Sequence, residues 1–139
     1  RFEDHIEREL PTTWTVVSLK YLLSEKISDG PHETPVFKNK GIPFLSVEGI
    51  VKNSIDFNKI RGFISHETHN IYSKKCIPRK HDVLLVKSGS TTGKSAIVET
   101  EKNFNIWSPL CILRSNCSKI EPFYLFNFIK SINFFSLNS

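Results

Sequence analysis

Apolar residues along this chain fall mostly into short runs that polar turns separate. The clearest run is Asp82–Val86, whose length and branched side chains are typical of a β-strand. Further short runs predict strand segments at 42–47, 96–98, 105–107 and 110–113, and Ile27–Gly30 predicts the end of a strand and a turn. An extended piece is also predicted over Trp14–Val17. The dominant pattern is therefore that of many short strands.

Helical spacing is confined to a few places. Ser18 and Ser65 are suited to cap two short helices, the second of which runs to about Lys75. Pro122 suits the first turn of a terminal helix. On that helix apolar residues recur at helical spacing: Leu125, Phe126, Ile129, Ile132 and Phe135. Short, mostly antiparallel strands with peripheral helices predict a single α+β domain.

Composition limits the class of protein. The chain has 139 residues, 39% hydrophobic and 24% charged, which suits one packed domain rather than a disordered chain. No apolar run is long enough for a membrane span and no signal peptide opens the chain, so we expect no membrane partner. The three cysteines show no CxxC spacing, which favours a reducing cytoplasm over a disulfide framework. Methionine is absent, even at position 1, and we expect a piece of a longer protein.

The positive charge is concentrated in the middle of the chain. The net charge is +5, but the stretch from Lys38 to Lys94 holds eleven basic and four acidic residues, and the flanks are slightly acidic. Such a stretch is often an ordinary solvated surface. Because these bases fall mostly in turns between apolar strands, where side chains reach outward, we favour a surface that binds nucleic acid.

One loop has the composition of a phosphate-binding loop. The segment Ser88–Ser95 nearly matches a P-loop, but Ser88 stands where that pattern needs glycine. A P-loop must also open into a helix, whereas Ser95–Val98 is strand-like. We therefore expect a tight polar connection between two strands. Its hydroxyls, its amides and Lys94 would still be able to approach DNA.

The sequence contains no recognisable active site. No Asp or Glu is followed two positions later by Lys, as one common nuclease pattern requires, and no glycine-rich methyltransferase loop follows a strand. His66 and His69 would share one helix face, but further ligands with recognisable spacing are missing. We interpret both as surface histidines, and we expect neither a metal nor a cofactor.

The order of segments resembles the target recognition domain of type I restriction–modification specificity subunits. The Asp-Gly-x-His-x-Thr-Pro turn of that family is matched from Asp29 to Pro35, and its Gly-Ile-Pro-Phe-Leu strand by Gly41–Leu45. Its later Gly-Asp-Ile-Leu strand and small-residue loop are matched by Asp82–Leu84 and Ser88–Lys94, although His81 replaces the usual glycine. The resemblance covers nearly the whole chain from about Leu10 onward.

This resemblance implies a non-catalytic domain that recognises one half of a bipartite DNA site. It divides the chain into a charged N-terminal arm (1–10), a DNA target recognition domain (11–120) and the start of a C-terminal spacer helix (121–139). The implied partners are double-stranded DNA and the methyltransferase (modification) and restriction subunits of the same system, with dimerisation through the C-terminal helix as a further expectation.

Within this hypothesis, basic side chains of the central stretch neutralise phosphates and loop side chains meet base edges. The predicted DNA contacts are Lys38, Lys40, Lys52, Arg61, Lys87, Ser90, Thr91 and Lys94. An alternative hypothesis is a protein-docking module that uses the apolar C-terminal helix and has no DNA specificity.

Overall fold

A computed structural model of the chain describes residues 19–89 and 92–138, and beyond residue 131 it describes the backbone only. The predicted arm at 1–10, the extended piece at 14–17 and the Ser18 cap lie outside the described residues, as do Ser90 and Thr91. Over the part that is described, the chain forms short, mostly antiparallel strands with a few helices, so the α+β prediction is confirmed.

The elements follow the predicted order. The helices are α1 (Leu19–Leu22), α2 (His66–Ser73) and α3 (Pro122–Asn138), with 3₁₀ turns at Val47–Gly49 and Phe57–Lys59. The strands are β1 (Ser28–Asp29), β2 (Ile42–Leu45), β3 (Ile50–Val51), β4 (Ser54–Ile55), β5 (Gly62–Ile64), β6 (Val83–Val86), β7 (Ser95–Ile97), β8 (Asn105–Ile106) and β9 (Leu110–Leu113).

Most strands belong to two sheets. A four-stranded antiparallel sheet has the order β1-β9-β6-β7, and a three-stranded sheet has the order β5-β2-β8. In the second sheet β2 and β8 run parallel, which the sequence did not predict. The strands β3 and β4 form a separate hairpin. In the centre of the larger sheet Val83 lies opposite Leu113, and Val86 opposite Leu110.

The four-stranded sheet is covered on both faces. Along β6, Leu84 and Val86 belong to a core with Leu45, Phe104 and Ile106, which includes residues of the three-stranded sheet. The alternate residues Val83 and Leu85 belong to a second core, which includes Leu23, Leu125, Phe126 and Ile129 from the helical side. Because successive side chains of a strand point to opposite faces, a strand covered on both sides needs a continuous apolar run. This explains the Asp82–Val86 pattern.

The two longer helices, α2 and α3, are each capped at the N-terminus by a side chain. The Ser65 hydroxyl accepts a hydrogen bond from the Thr68 N–H at 3.1 Å, so the predicted cap of α2 is confirmed. In α3, which starts at Pro122 as predicted, the Glu121 carboxylate accepts from the N–H groups of Phe123 and Tyr124. The first turns of α3 pack on the domain through Leu125, Phe126 and Ile129, which belong to the second core.

The interpretation of both histidines of α2 as surface residues is wrong for one of them. His66 is exposed, but His69 is buried, with 7% of its surface accessible. The Oδ1 atom of Asn105 accepts the Ile106 N–H, so its Nδ2 faces the His69 ring and donates to Nδ1 at 3.0 Å. Burial, with a smaller contribution from His66, lowers the pKa of His69. The ring is therefore a neutral part of the contact between α2 and β8.

Two features are absent from the described residues. None of their helices is both long and apolar enough to cross a membrane. They also contain no cluster of three or more His, Cys, Asp or Glu side chains that would hold a metal ion.

Candidate nucleic-acid interface

The β6–β7 connection is a hairpin loop at one end of the four-stranded sheet. Backbone hydrogen bonds join Val86 N–H to the Lys94 carbonyl at 2.9 Å and Gly93 N–H to the Val86 carbonyl at 3.0 Å. Lys87, Ser88, Gly89 and Lys94 are exposed, and no atom lies within 4 Å of the position that a Cβ would take on Gly89. The described residues of the loop therefore project into solvent. The loop continues into strand β7, whereas a P-loop would require a helix at this point.

A carboxylate shared by two lysines lies beside this loop. Lys87 Nζ donates to Asp29 Oδ2 at 2.6 Å, and Lys75 Nζ donates to Oδ1 at 3.0 Å. His32 Nε2 lies 3.2 Å from Oδ2. The hydrogen bond from Lys87, followed by that from Lys75, holds the pKa of Asp29 well below its usual range despite partial burial. We call these four residues the Asp29 cluster.

Arg61 forms a second cationic position, next to an aromatic ring. Its Cζ lies 5.4 Å from the centroid of the Trp107 ring, and its Nη2 donates to Glu48 at 2.8 Å. The hydrogen bonds from Arg61 and from Ser46 lower the pKa of Glu48 to about 2. Both partners are half-exposed, so solvent weakens this ion pair. Arg61 is thereby held over Trp107 at the surface.

The segment Trp107–Pro109 joins these features. The Lys87 N–H donates to the Pro109 carbonyl at 3.1 Å, and the Ser108 N–H donates to the Pro31 carbonyl at 3.1 Å. Trp107, whose ring contacts Arg61, lies two residues from Pro109 in the chain. Arg61 is therefore near the Asp29 cluster. The backbone of Lys38 is also nearby, because it exchanges two hydrogen bonds with Phe63, two residues after Arg61.

The predicted DNA contacts are thus only partly brought together. We call the grouped cations the cationic edge: Lys38, Arg61, Lys75, Lys87 and Lys94. Lys40 is exposed two residues beyond Lys38, while Ser90 and Thr91 lie outside the described residues.

Lys52 lies apart from the cationic edge. It is an exposed residue of the β3–β4 turn, with a positive φ of 50°. The following strand lines a shallow cavity with Ile97 and Glu99, at the end of β7 away from Lys94. Its role as a DNA contact stays a prediction.

Sequence reasoning missed three members of the Asp29 cluster as site residues. The sequence places Asp29 and His32 only in a turn, and Lys75 only at the end of a predicted helix. Asp29 is 46 positions from Lys75 and 58 from Lys87, so no local spacing relates them. Their proximity arises because β1 pairs with β9, which places Asp29 opposite Cys111 near the start of that strand.

Thiol chemistry is not a feature of this surface. Burial raises the pKa of Cys111 to about 11 and also raises that of Cys76. Both thiols are therefore protonated at neutral pH, and thiolate is the nucleophilic form. The exposed ammonium groups of Lys75, Lys87 and Lys94 instead suit binding of an anion.

The fold is that of one domain of the specificity subunits of type I restriction–modification systems, so the resemblance stated from the sequence is confirmed for the fold. A crystal structure of the HsdS subunit from Thermoanaerobacter tengcongensis matches with a TM-score of 0.62 and 22% identity, over 89% of this chain and 29% of that chain. A chain from a structure concerned with complex assembly and conformational transition of the type I R-M system matches with a TM-score of 0.61 and 17% identity, over 95% of this chain and 33% of that one.

This chain thus spans about a third of the length of the two solved chains. No family model matches the chain, and no curated protein matches it.

Proposed function

We propose that this chain is the sequence-specific DNA-binding domain of a type I restriction–modification specificity subunit, and that it recognises one half of a bipartite site. The observation that carries the proposal is the shared fold, which extends over 89% of the chain. The exposed β6–β7 loop and the cationic edge beside it support the same function, because phosphate contacts position a protein on DNA while loop side chains reach base edges.

In this proposal the domain is non-catalytic. Its cations neutralise the phosphates of a duplex, and the β6–β7 loop, with Ser90 and Thr91, enters a groove. The chemical reactions belong to the methyltransferase and restriction subunits of a cytoplasmic complex. The exposed Phe123 and Tyr124 on the first turn of α3 support a role of this helix in contacts with those subunits or with a second copy. A second similar domain and a methyltransferase encoded beside this chain would support these partners.

Selection of bound duplexes from a randomised pool tests the DNA-binding proposal. We expect enrichment of a short block of consecutive base pairs, as one half-site requires. Fluorescence anisotropy with the selected duplex then measures the salt dependence. If about five phosphates are neutralised, log affinity falls with log salt at a slope of about −4 to −5.

The matched control is a Lys102→Gln variant. Lys102 is exposed and lies beyond the other end of β7, where its N–H donates to the Thr100 hydroxyl. The variant should keep the wild-type salt slope. The absence of any enriched motif, together with weak and sequence-independent binding, would contradict the proposal. A chain that ignores DNA at physiological salt but binds the other subunits would be a docking module instead.

A further inference from the structure

The Asp29 cluster has an unusual arrangement of charge. The Asp29 side chain is 15% exposed, whereas the side chains of Lys75 and Lys87 are 61% and 43% exposed. The carboxylate therefore lies beneath two ammonium groups that face solvent. One carboxylate shared by two lysines leaves one positive charge in excess, and that excess is at the outer surface.

The backbone fixes the position of the carboxylate. Asp29 is paired in β1 with Cys111 of β9. The next residue, Gly30, packs so closely that an added Cβ would lie 2.1 Å from the Ile106 carbonyl oxygen. Gly30 N–H also donates to the Leu110 carbonyl. The carboxylate is thus held by a sheet edge, which is a rigid platform compared with a loop.

This platform changes what the two lysines lose when they bind an anion. A free lysine side chain has many rotamers, and fixing it against a phosphate costs conformational entropy. Here two different oxygens of one carboxylate hold both ammonium groups, so part of that ordering is already present. Each ammonium has three N–H donors, and Asp29 takes one of them. The remaining donors suit phosphate oxygens.

We propose that Lys75 and Lys87 form a paired contact to the phosphate backbone of duplex DNA, and that Asp29 is the positioning residue that holds this pair. The inference rests on the proposed function and names a subsite within it. It assigns a favourable role in DNA binding to an acidic residue on a surface that binds a polyanion.

Simple electrostatics and positioning predict different results for an Asp29→Asn variant. Removal of a negative charge strengthens attraction to every duplex alike. Loss of positioning lowers only the affinity for the selected duplex, on which the lysines must adopt one defined arrangement. We therefore expect the variant to bind a scrambled duplex as tightly as wild type or more tightly. Its affinity for the selected duplex should fall about three- to tenfold, as expected when two side chains must be ordered during binding.

The experiment compares four single variants on selected and scrambled duplexes across a salt series. The variants are Asp29→Asn, Lys75→Gln, Lys87→Gln and the control Lys102→Gln. Each of the two cluster lysine variants should make the salt slope shallower by about one unit, because each removes one phosphate contact. The control should leave the slope unchanged. In a chain that already carries both cluster lysine substitutions, Asp29→Asn should cause no further loss of affinity for the selected duplex.

Two results would overturn the inference: a wild-type slope for Lys75→Gln, or an Asp29→Asn variant that binds both duplexes more tightly by the same factor. If Asp29→Asn does not fold, as judged by circular dichroism, Asp29→Glu replaces it. That variant keeps the charge but moves it by one methylene, so only the affinity for the selected duplex should fall. A wild-type chain that binds no DNA would instead refute the proposed function itself.

Discussion

The two ends of the four-stranded sheet each carry a carboxylate paired with cations, but the two groups differ in burial and in net charge. At the end where β6 begins and β9 ends, Asp82 is 2% exposed and Arg114 16% exposed. Arg114 donates from Nε and from Nη2 to the two carboxylate oxygens, at 2.8 and 2.7 Å. At the opposite end, Asp29 is paired with two lysines that remain largely exposed.

This contrast separates a structural ion pair from a surface suited to a ligand. The guanidinium of Arg114 matches the carboxylate with two parallel bonds, and Nη2 also donates to the Ile77 carbonyl, so its donors are used inside the protein. The bond to Asp82, the largest cause, raises the pKa of Arg114. The lysines at the other end keep donors and charge toward solvent. Burial and donor use, rather than the presence of an ion pair, distinguish the two ends.

The largest expected effect is loss of the buried pair. An Asp82→Asn variant removes the buried counter-charge of the Arg114 guanidinium and leaves it only the exposed Glu25. Breaking such a pair costs about 3–5 kcal/mol of the free energy of unfolding. Urea unfolding followed by circular dichroism measures the change. A Glu25→Gln variant is the control, because Glu25 pairs with the same guanidinium from an exposed position. It should cost less than about 1 kcal/mol. Equal losses in the two variants would contradict the distinction between buried and exposed partners.

The next effect concerns the close packing that positions Asp29. A Gly30→Ala variant places a methyl group against the Ile106 carbonyl, and such overpacking costs about 1–3 kcal/mol of unfolding free energy. It should also weaken binding of the selected duplex, because β1 carries the carboxylate. A Gly89→Ala variant is the comparison, since Gly89 has φ +93° but open space around it. We expect a cost of about 1 kcal/mol from backbone strain alone. Wild-type stability in Gly30→Ala would refute the rigid platform.

A smaller effect is the pH dependence of the Asp29 ion pairs. The pKa of Asp29 is lower in the folded chain than the unfolded value of 3.8. Its contribution to stability is therefore complete above pH 3.8 and is lost as the pH falls toward the folded-state pKa. At neutral pH we expect Asp29→Asn to be less stable than wild type by about 1 kcal/mol, since its partners are exposed.

Urea unfolding of both proteins at neutral pH and at a series of values below pH 3.8 measures this difference. It should shrink steadily as the pH falls. A difference that stays constant over this range would mean that the ion pairs do not stabilise the fold.

The smallest effect is expected when His81, next to the buried pair, is replaced by glycine. His81 has φ +76°, a conformation that favours glycine, which is the residue the resemblance leads one to expect there. Its ring contacts Phe123 at a centroid distance of 6.2 Å. In a His81→Gly variant, relief of backbone strain and loss of this contact oppose each other, so we expect stability within about 0.5 kcal/mol of wild type. A His81→Val variant keeps the strain with a β-branched side chain and should cost about 1–2 kcal/mol. A valine variant that is more stable in thermal unfolding than the glycine variant would contradict this explanation.

The sequence predicted the elements whose local pattern is sufficient by itself. Strand β6 followed from a continuous apolar run, and α2 from the capping residue Ser65. The exposed β6–β7 loop followed from its small polar residues. The parallel contact of β2 with β8 was not predicted, because it depends on tertiary pairing between distant segments. The burial of His69 was missed for a similar reason, since its partner Asn105 is 36 positions away.

The candidate site was also only partly predicted from the sequence. The basic stretch gave Lys38, Arg61, Lys87 and Lys94, which the fold brings to one region. The basic stretch did not show that Lys52 lies apart from these residues. The order of charges along the chain carries no information on which end of a strand a turn occupies. Asp29 was not identified as a site residue, because an acidic side chain does not suggest a surface for a polyanion.

The central claim is that DNA binds at the end of the four-stranded sheet that carries the Asp29 cluster. Amine-reactive labelling tests it most directly, with the chain free and bound to the selected duplex and the modified lysines identified by mass spectrometry. DNA should cover that end of the sheet, so labelling of Lys75, Lys87 and Lys94 should fall on binding. Lys102, beyond the other end of β7, should react as before. Unchanged labelling of Lys75 and Lys87, or equal protection of Lys102, would contradict the account.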